Sequence, residues 1–174
     1  MAKMPRLNYP SASLPECIES VKKIWKAEQR TAVTPHVIAK ALGYRGVTGP
    51  AKTRLSALKQ YGLLDVHDNE VKLSTLAMAI LHAPPDSEKY SVSLVRAAMS
   101  PESFKEIWHT HSDATDEALK SHLLRNKGFT KEGAKQFIKS FRDTIEGANI
   151  QETGENKSPL FVDVGKRTTD DPKL

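Results

Sequence analysis

The stretch TPHVIAKALGYRGVTGPAKTRLSALKQYGLLD (residues 34–65) decides the reading of this chain. Thr34 is placed to cap a helix, Pro35 sits in its first turn, and Val37, Ile38, Ala41 and Leu42 supply an apolar face. Gly43 provides the left-handed stop. A five-residue link, Tyr44–Thr48, leads to a second signal: Thr48 or Gly49 as cap, Pro50 opening the helix and Gly62 closing it. Two short helices joined by a glycine-containing turn are therefore predicted. After Gly62 the apolar residues change from helical spacing to alternation.

Working outward, the segment Ser13-Leu14-Pro15-Glu16 carries a capping box, and Leu14, Ile18, Val21 and Trp25 recur at helical spacing. This first helix is expected to end near Arg30. Downstream, Leu64 and Val66 alternate with polar residues, the HDNE stretch (residues 67–70) offers turn chemistry, and Val71 and Leu73 alternate on the return. That predicts a two-stranded ribbon, followed by a helix capped by Ser74. Pro84 and Pro85 then break the chain. The remainder is helical: residues 87–99; a helix capped by Ser100 with Pro101 in its first turn; a helix ending at Gly128; and a last helix with the stripe Ala134, Phe137, Ile138, Phe141, Ile145, Ala148. The expected architecture is mainly α, with one small β-ribbon. It comprises a first domain of helices and ribbon over residues 1–84, a helical bundle of about four helices over residues 85–149, and a flexible polar tail over residues 150–174, in which only PLFVDV has strand character.

Composition narrows the function classes. The chain has 174 residues, one cysteine and a net charge of +5. One cysteine forms neither an intramolecular disulfide nor a cysteine-based zinc site, which fits a reducing cytoplasmic setting. No signal-peptide pattern opens the sequence, and no stretch approaches the roughly 18 consecutive apolar residues of a membrane span. The charge is unevenly distributed. Residues 1–62 hold 11 Lys/Arg against 3 Asp/Glu, residues 63–148 hold 11 against 13, and residues 149–174 hold 4 against 5. All the positive excess lies in the first third, as expected of a surface that faces a polyanion. A solvated basic face without a partner is the bland alternative.

No nucleophile–base pair, phosphate-binding glycine loop or closely spaced catalytic carboxylate pair is present, so neither an enzyme nor a cofactor is expected. His109, His111, Asp113 and His122 raise a metal hypothesis, but His109 and His111 fall at a helix end, where histidine is favoured against the dipole. Cys17 falls in a first helical turn. There the dipole would activate it, or it is an unreactive small residue beside the core.

At 100° per residue, the helix after Pro50 gathers Ala51, Leu55, Leu58 and Gly62 on one face, with Thr53, Ser56, Ala57 and Gln60 opposite. Lys52 and Lys59 flank one side, Arg54 and Tyr61 the other. Small polar residues between cations suit a recognition helix in a helix-turn-helix, with Thr53, Ser56 and Gln60 toward bases and Lys52, Arg54 and Lys59 toward phosphates. Arg45 and Thr48 precede it, and Lys22, Lys23 and Lys26 add long-range attraction.

Residues 13–82, carried by TPHVIAKALGY, GPAKTRLSALKQYGLLD and VHDNEVKLSTLAMAIL, resemble the winged helix-turn-helix superfamily. Tyr9–Leu64 together with residues 112–148 look like a group of uncharacterised prokaryotic proteins that join a winged helix to a helical C-terminal half. The resemblance implies duplex DNA binding through Pro50–Tyr61, as in a transcriptional regulator or mobile-element accessory factor. The ribbon departs from that pattern: Asp65, Asp68 and Glu70 face Lys72 alone, and carboxylates repel phosphates. A winged helix that docks a protein partner is the competing expectation. The last helix's stripe either closes its own core or joins a partner subunit; with the DNA reading, the C-terminal helices are expected to mediate assembly, as a homodimer or with another assembly partner.

Overall fold

The computed structural model describes residues 8–150; the tail expected beyond Ile150, with its PLFVDV stretch, lies outside the described residues. The described chain is mainly helical, with eight helices and one two-stranded antiparallel sheet.

Helix α1 (Leu14–Glu28) begins in the capping box. Ser13 N–H donates to Glu16 Oε2 at 2.8 Å, and Glu16 N–H donates to Ser13 Oγ at 3.5 Å. It stops two residues before Arg30 because Gln29 turns to φ 52°. Helix α2 (Pro35–Ala41) ends before Gly43, at φ 98°. In α3 (Gly49–Gln60) it is Thr48 whose side chain caps, accepting from Ala51 N–H. Gly62, at φ 75°, takes the chain out of α3 into β1 (Leu64–His67), which pairs with β2 (Glu70–Leu73). Asp68 and Asn69 both adopt positive φ, the type I′ geometry that a two-residue hairpin requires. Val33, between α1 and α2, exchanges two backbone hydrogen bonds with Val71 and so adds a bridge to the outer side of β2.

The remaining helices are α4 (Thr75–His82), α5 (Glu88–Ala98), α6 (Glu102–His111), α7 (Asp116–Asn126) and α8 (Lys131–Gly147). Ser74, Ser87, Thr115 and Thr130 cap four of them. Ser100 does not cap α6. Its hydroxyl donates to Arg96 O at 2.8 Å and finishes α5, leaving Pro101 at the α6 N-cap without a side-chain bond.

One buried apolar cluster runs from Ala12 to Ile150. It crosses residue 84 without a break, so the two segments expected as separate domains share a core. Phe104 of α6 is fully buried at its centre, with ring centroids 5.4 Å from both Phe137 and Phe141 of α8 and 6.2 Å from Tyr61 at the end of α3. Helix α8 lies along the start of α1, and a Cβ on Gly147 would stand 2.5 Å from Pro15 Cγ. The α8 stripe is buried within the chain except at half-buried Ile145, which matches the reading that it closes its own core.

Several helices turn a different face inward from the one that apolar spacing marks. Cys17 and Ile24 of α1 are fully buried while Ile18 and Trp25 are only partly so. In α2, Ile38 and Ala39 are buried, but Val37, Ala41 and Leu42 are half-buried. In α8, Ser140 and Thr144 are buried and Ile145 is half-buried. The two hydroxyls serve the irregular segment before α1. Ser140 Oγ donates to Pro10 O at 2.8 Å, and Thr144 Oγ1 accepts from Leu14 N–H at 3.0 Å. Tyr61 completes the seam, its hydroxyl donating to Ala12 O at 2.8 Å and lying 2.9 Å from Thr144 Oγ1. Burial holds this phenol well above its ordinary pKa.

Candidate nucleic-acid interface

Helix α3 presents one continuous solvent-facing arc. Going round the helix, Lys59, Lys52, Ser56, Gln60 and Thr53 succeed one another over about 120°, and all are exposed except Gln60, which is half-exposed. Gln60 Nε2 donates to Ser56 Oγ at 3.2 Å, and Thr53 Oγ1 donates to Gly49 O at 3.1 Å. The helix contains no carboxylate. Among the described residues, neither Lys52 nor Lys59 has an ion-pair partner.

The inner side of α3 is broader than its sequence pattern shows. Ala57, expected outward, is fully buried, as are Ala51, Leu58 and Tyr61. Arg54 is half-buried, and its Nη1 donates to Ser20 Oγ of α1 at 2.8 Å. The cations are thus one-sided. Lys52 and Lys59 border one edge of the arc, whereas Thr53 borders the other with Arg54 drawn in behind it. Tyr61, expected to flank that side, belongs to the core.

The remaining candidates lie around this arc rather than on it. Arg45 is exposed in the α2–α3 turn, and Thr48 is exposed with its oxygen engaged as the α3 cap. Lys22, Lys23 and Lys26 occupy the solvent face of α1, a helix that packs on the inner side of α3. Lys22 is also 3.0 Å from Glu19 in an exposed ion pair, which contributes little. The ribbon tip carries exposed Asp65, Asp68 and Glu70 around Val66, which is 50% exposed.

Beside the Thr53 edge opens a cleft of about 350 Å³ between α3, the start of α1 and the α2–α3 turn. Arg54, Thr53, Pro50, Tyr44, Glu16 and Ser11 line it. Glu16 Oε2 is held by Ser13 through N–H at 2.8 Å and Oγ at 3.1 Å. No carboxylate oxygen among the described residues lies within ion-pair distance of Arg54. Sequence reasoning missed this cleft, because no local pattern marks a site assembled from three separate segments.

The other chemistry-bearing residues are arranged differently. Cys17 lies inside the core, where desolvation pushes its thiol up to about 12 despite the opposing pull of Arg54. The helix-dipole activation considered for it is thereby outweighed. His111 and His122 face each other with ring centroids 4.0 Å apart, whereas His109 Nδ1 is bonded to Lys105 O at 2.8 Å. Among the described residues, no group of three or more His, Cys, Asp or Glu is arranged to hold a metal ion. No described helix is long and apolar enough to cross a membrane.

Comparison of the chain with family models, with curated proteins and with solved structures gives no match in any of the three.

Proposed function

We propose that residues 13–82 form a winged helix-turn-helix that binds duplex DNA through the outer arc of α3, in a transcriptional regulator or a mobile-element accessory factor of the cytoplasm. The observation that carries this reading is the outward-facing series Lys59, Lys52, Ser56, half-exposed Gln60 and Thr53 on a helix free of carboxylates. A helix so furnished matches the major groove in width, with hydroxyl and amide groups toward base edges and ammonium groups toward one phosphate strand. The element order and the Val33–Val71 bridge support the winged topology. The positive balance of residues 1–62 supplies a field that attracts a polyanion. The C-terminal helices act within the chain, holding the end of α3 through Tyr61 and Thr144.

Fluorescence anisotropy on a 20-base-pair duplex, across salt from 50 to 200 mM, tests the assignment. The paired change Lys52→Ala/Lys59→Ala is expected to weaken binding on every sequence and to lower the salt slope by about two units, roughly one per phosphate contact. An unchanged affinity and slope would remove α3 from the interface.

A second reading rests on the ribbon, whose acidic tip around the half-exposed Val66 suits a protein better than a phosphate backbone. If the tip approaches DNA, Asp65→Asn/Asp68→Asn/Glu70→Gln raises DNA affinity. If the tip docks a protein, DNA affinity stays unchanged.

A further inference from the structure

The geometry points to a phosphate-binding seat in the cleft behind Thr53, with Arg54 as its cation. A half-buried guanidinium is costly without a counter-charge, because burial removes hydration that only an anion or several acceptors replaces. Among the described residues the Arg54 side chain makes one hydrogen bond, Nη1 to Ser20 Oγ, and has no carboxylate partner, while arginine carries five N–H donors in a planar fork. Ser20 holds Nη1, which limits the freedom of the side chain and leaves the other donors of the fork for a ligand in the cleft that Arg54 lines.

The cleft supplies further donors around that fork. The hydroxyls of Ser11 and Tyr44 both belong to its lining, and among the described residues neither makes a hydrogen bond. One guanidinium and two hydroxyls suit a tetrahedral oxyanion better than a planar carboxylate, which a single fork already satisfies. At about 350 Å³ the cleft exceeds a bare phosphate and leaves room beside Pro50 and Ala12 for the group that carries it. Glu16 opposes an anion, but it is tied to Ser13 at the α1 N-terminus, where the helix end offsets part of its charge. Glu16→Gln keeps an oxygen for the capping box and removes that opposition.

The same phosphate chemistry comes from two sources: a phosphodiester of DNA, or a small phosphate monoester bound apart from DNA. The first rests on the α3 reading and adds to it, because the cleft opens at the edge of the arc that lacks lysines and so provides for the second strand across the groove. The second stands without that reading.

The test uses the full chain in ¹H–¹⁵N spectra while sodium phosphate, and then adenosine monophosphate, replaces sodium chloride at constant ionic strength. Saturable shifts gathered at Ser11, Tyr44, Thr53 and Arg54 are expected. Arg54→Met should weaken them by about tenfold or more, since a charge-assisted bond is lost, and Glu16→Gln should tighten them. Loss of DNA affinity in Arg54→Met, with competition by free phosphate, assigns the diester. Phosphate shifts abolished by Arg54→Met with DNA affinity intact assign the monoester. Shifts spread over the surface lysines and equal in Arg54→Met overturn the seat, whatever Lys52→Ala/Lys59→Ala shows for α3. Should Arg54→Met fail to fold, Tyr44→Phe and Glu16→Gln keep the question open to refutation: unchanged phosphate affinity in both overturns it as well.

Discussion

Replacing Tyr61 with phenylalanine removes one oxygen and leaves the ring packed against Phe104. That oxygen is the middle of a directional chain. Leu14 N–H donates to Thr144 Oγ1, the Thr144 hydroxyl is left to donate to the Tyr61 oxygen, and Tyr61 O–H donates to Ala12 O, at 3.0, 2.9 and 2.8 Å. Tyr61 and Thr144 are fully buried and Ala12 is 6% exposed, so water does not readily take the missing place. Tyr61→Phe then strands one carbonyl and one hydroxyl. Each orphaned group costs about 1–3 kcal/mol, of which relaxation recovers part, so the expected loss is about 2 kcal/mol. For a chain of this size that corresponds to a fall in Tm of about 4–8 °C. Thr144→Val breaks the same chain one link earlier and should cost a similar amount. Because either change breaks the whole chain, the double variant should lose about 1–2 kcal/mol less than the sum of the singles. Urea denaturation followed by tryptophan fluorescence reads all four proteins, with Trp25 in α1 and Trp108 in α6 reporting from opposite sides of residue 84. A neutral Tyr61→Phe, or strictly additive losses, would show that this seam is neither dry nor connected.

Gly147→Ala sets helix propensity, about 1 kcal/mol in favour of alanine, against a Cβ that would stand 2.5 Å from the ring of Pro15. Overpacking of that kind costs about 1–3 kcal/mol, so thermal melts should show net destabilisation, and a raised Tm would contradict the close approach of α1 and α8. Cys17 should resist thiol reagents in the native protein and react only as fast as the core opens. Its folded pKa, raised from 9.0 to about 12, leaves its share of stability whole below pH 9 and lost progressively as pH climbs from there toward 12. Cys17→Ala should flatten part of that alkaline decline. His122 is shifted the other way, below 6.5, by desolvation first, then by the adjacent His111 and by Lys127, against the opposite pull of Glu106. As pH falls below 6.5 the unfolded chain takes up a proton that the folded chain resists, so stability should drop on acidification. His122→Gln should lessen that drop; a melting curve equally acid-sensitive in this variant would clear the histidine pair of any part in it.

What the sequence discloses here is what local chemistry decides. The capping box at Ser13 and Glu16, the stop at Gly62 and the turn at Asp68 and Asn69 each depend on the conformational needs of a few neighbouring residues. The bridge between Val33 and Val71 depends on segments 38 residues apart, and a single β-branched residue between two helices gives no alternation to detect. Ala57 shows the same limit on α3. Its wheel position falls with Thr53, Ser56 and Gln60 on the polar face, yet it is fully buried, which only the packing of the folded chain decides.

The division expected at residue 84 went unrealised in the core for a related reason. Pro84 and Pro85 do end α4, but a break in helical hydrogen bonding says nothing about which surfaces later meet. The polar residues of α8 are the clearer instance. By apolar periodicity Ser140 and Thr144 fall outside the stripe, yet both are buried because the irregular segment before α1 brings backbone groups into the interior with no helix or strand of its own to satisfy them. Pro10, Ala12 and Leu14 need one donor, one donor and one acceptor, and α8 and Tyr61 supply them. Backbone accounting thus requires buried hydroxyls somewhere opposite that segment, while only the packing of α8 along α1 says which ones. Seen this way, the C-terminal helices fix where α3 ends, and with it the direction in which the Lys52 and Lys59 edge faces.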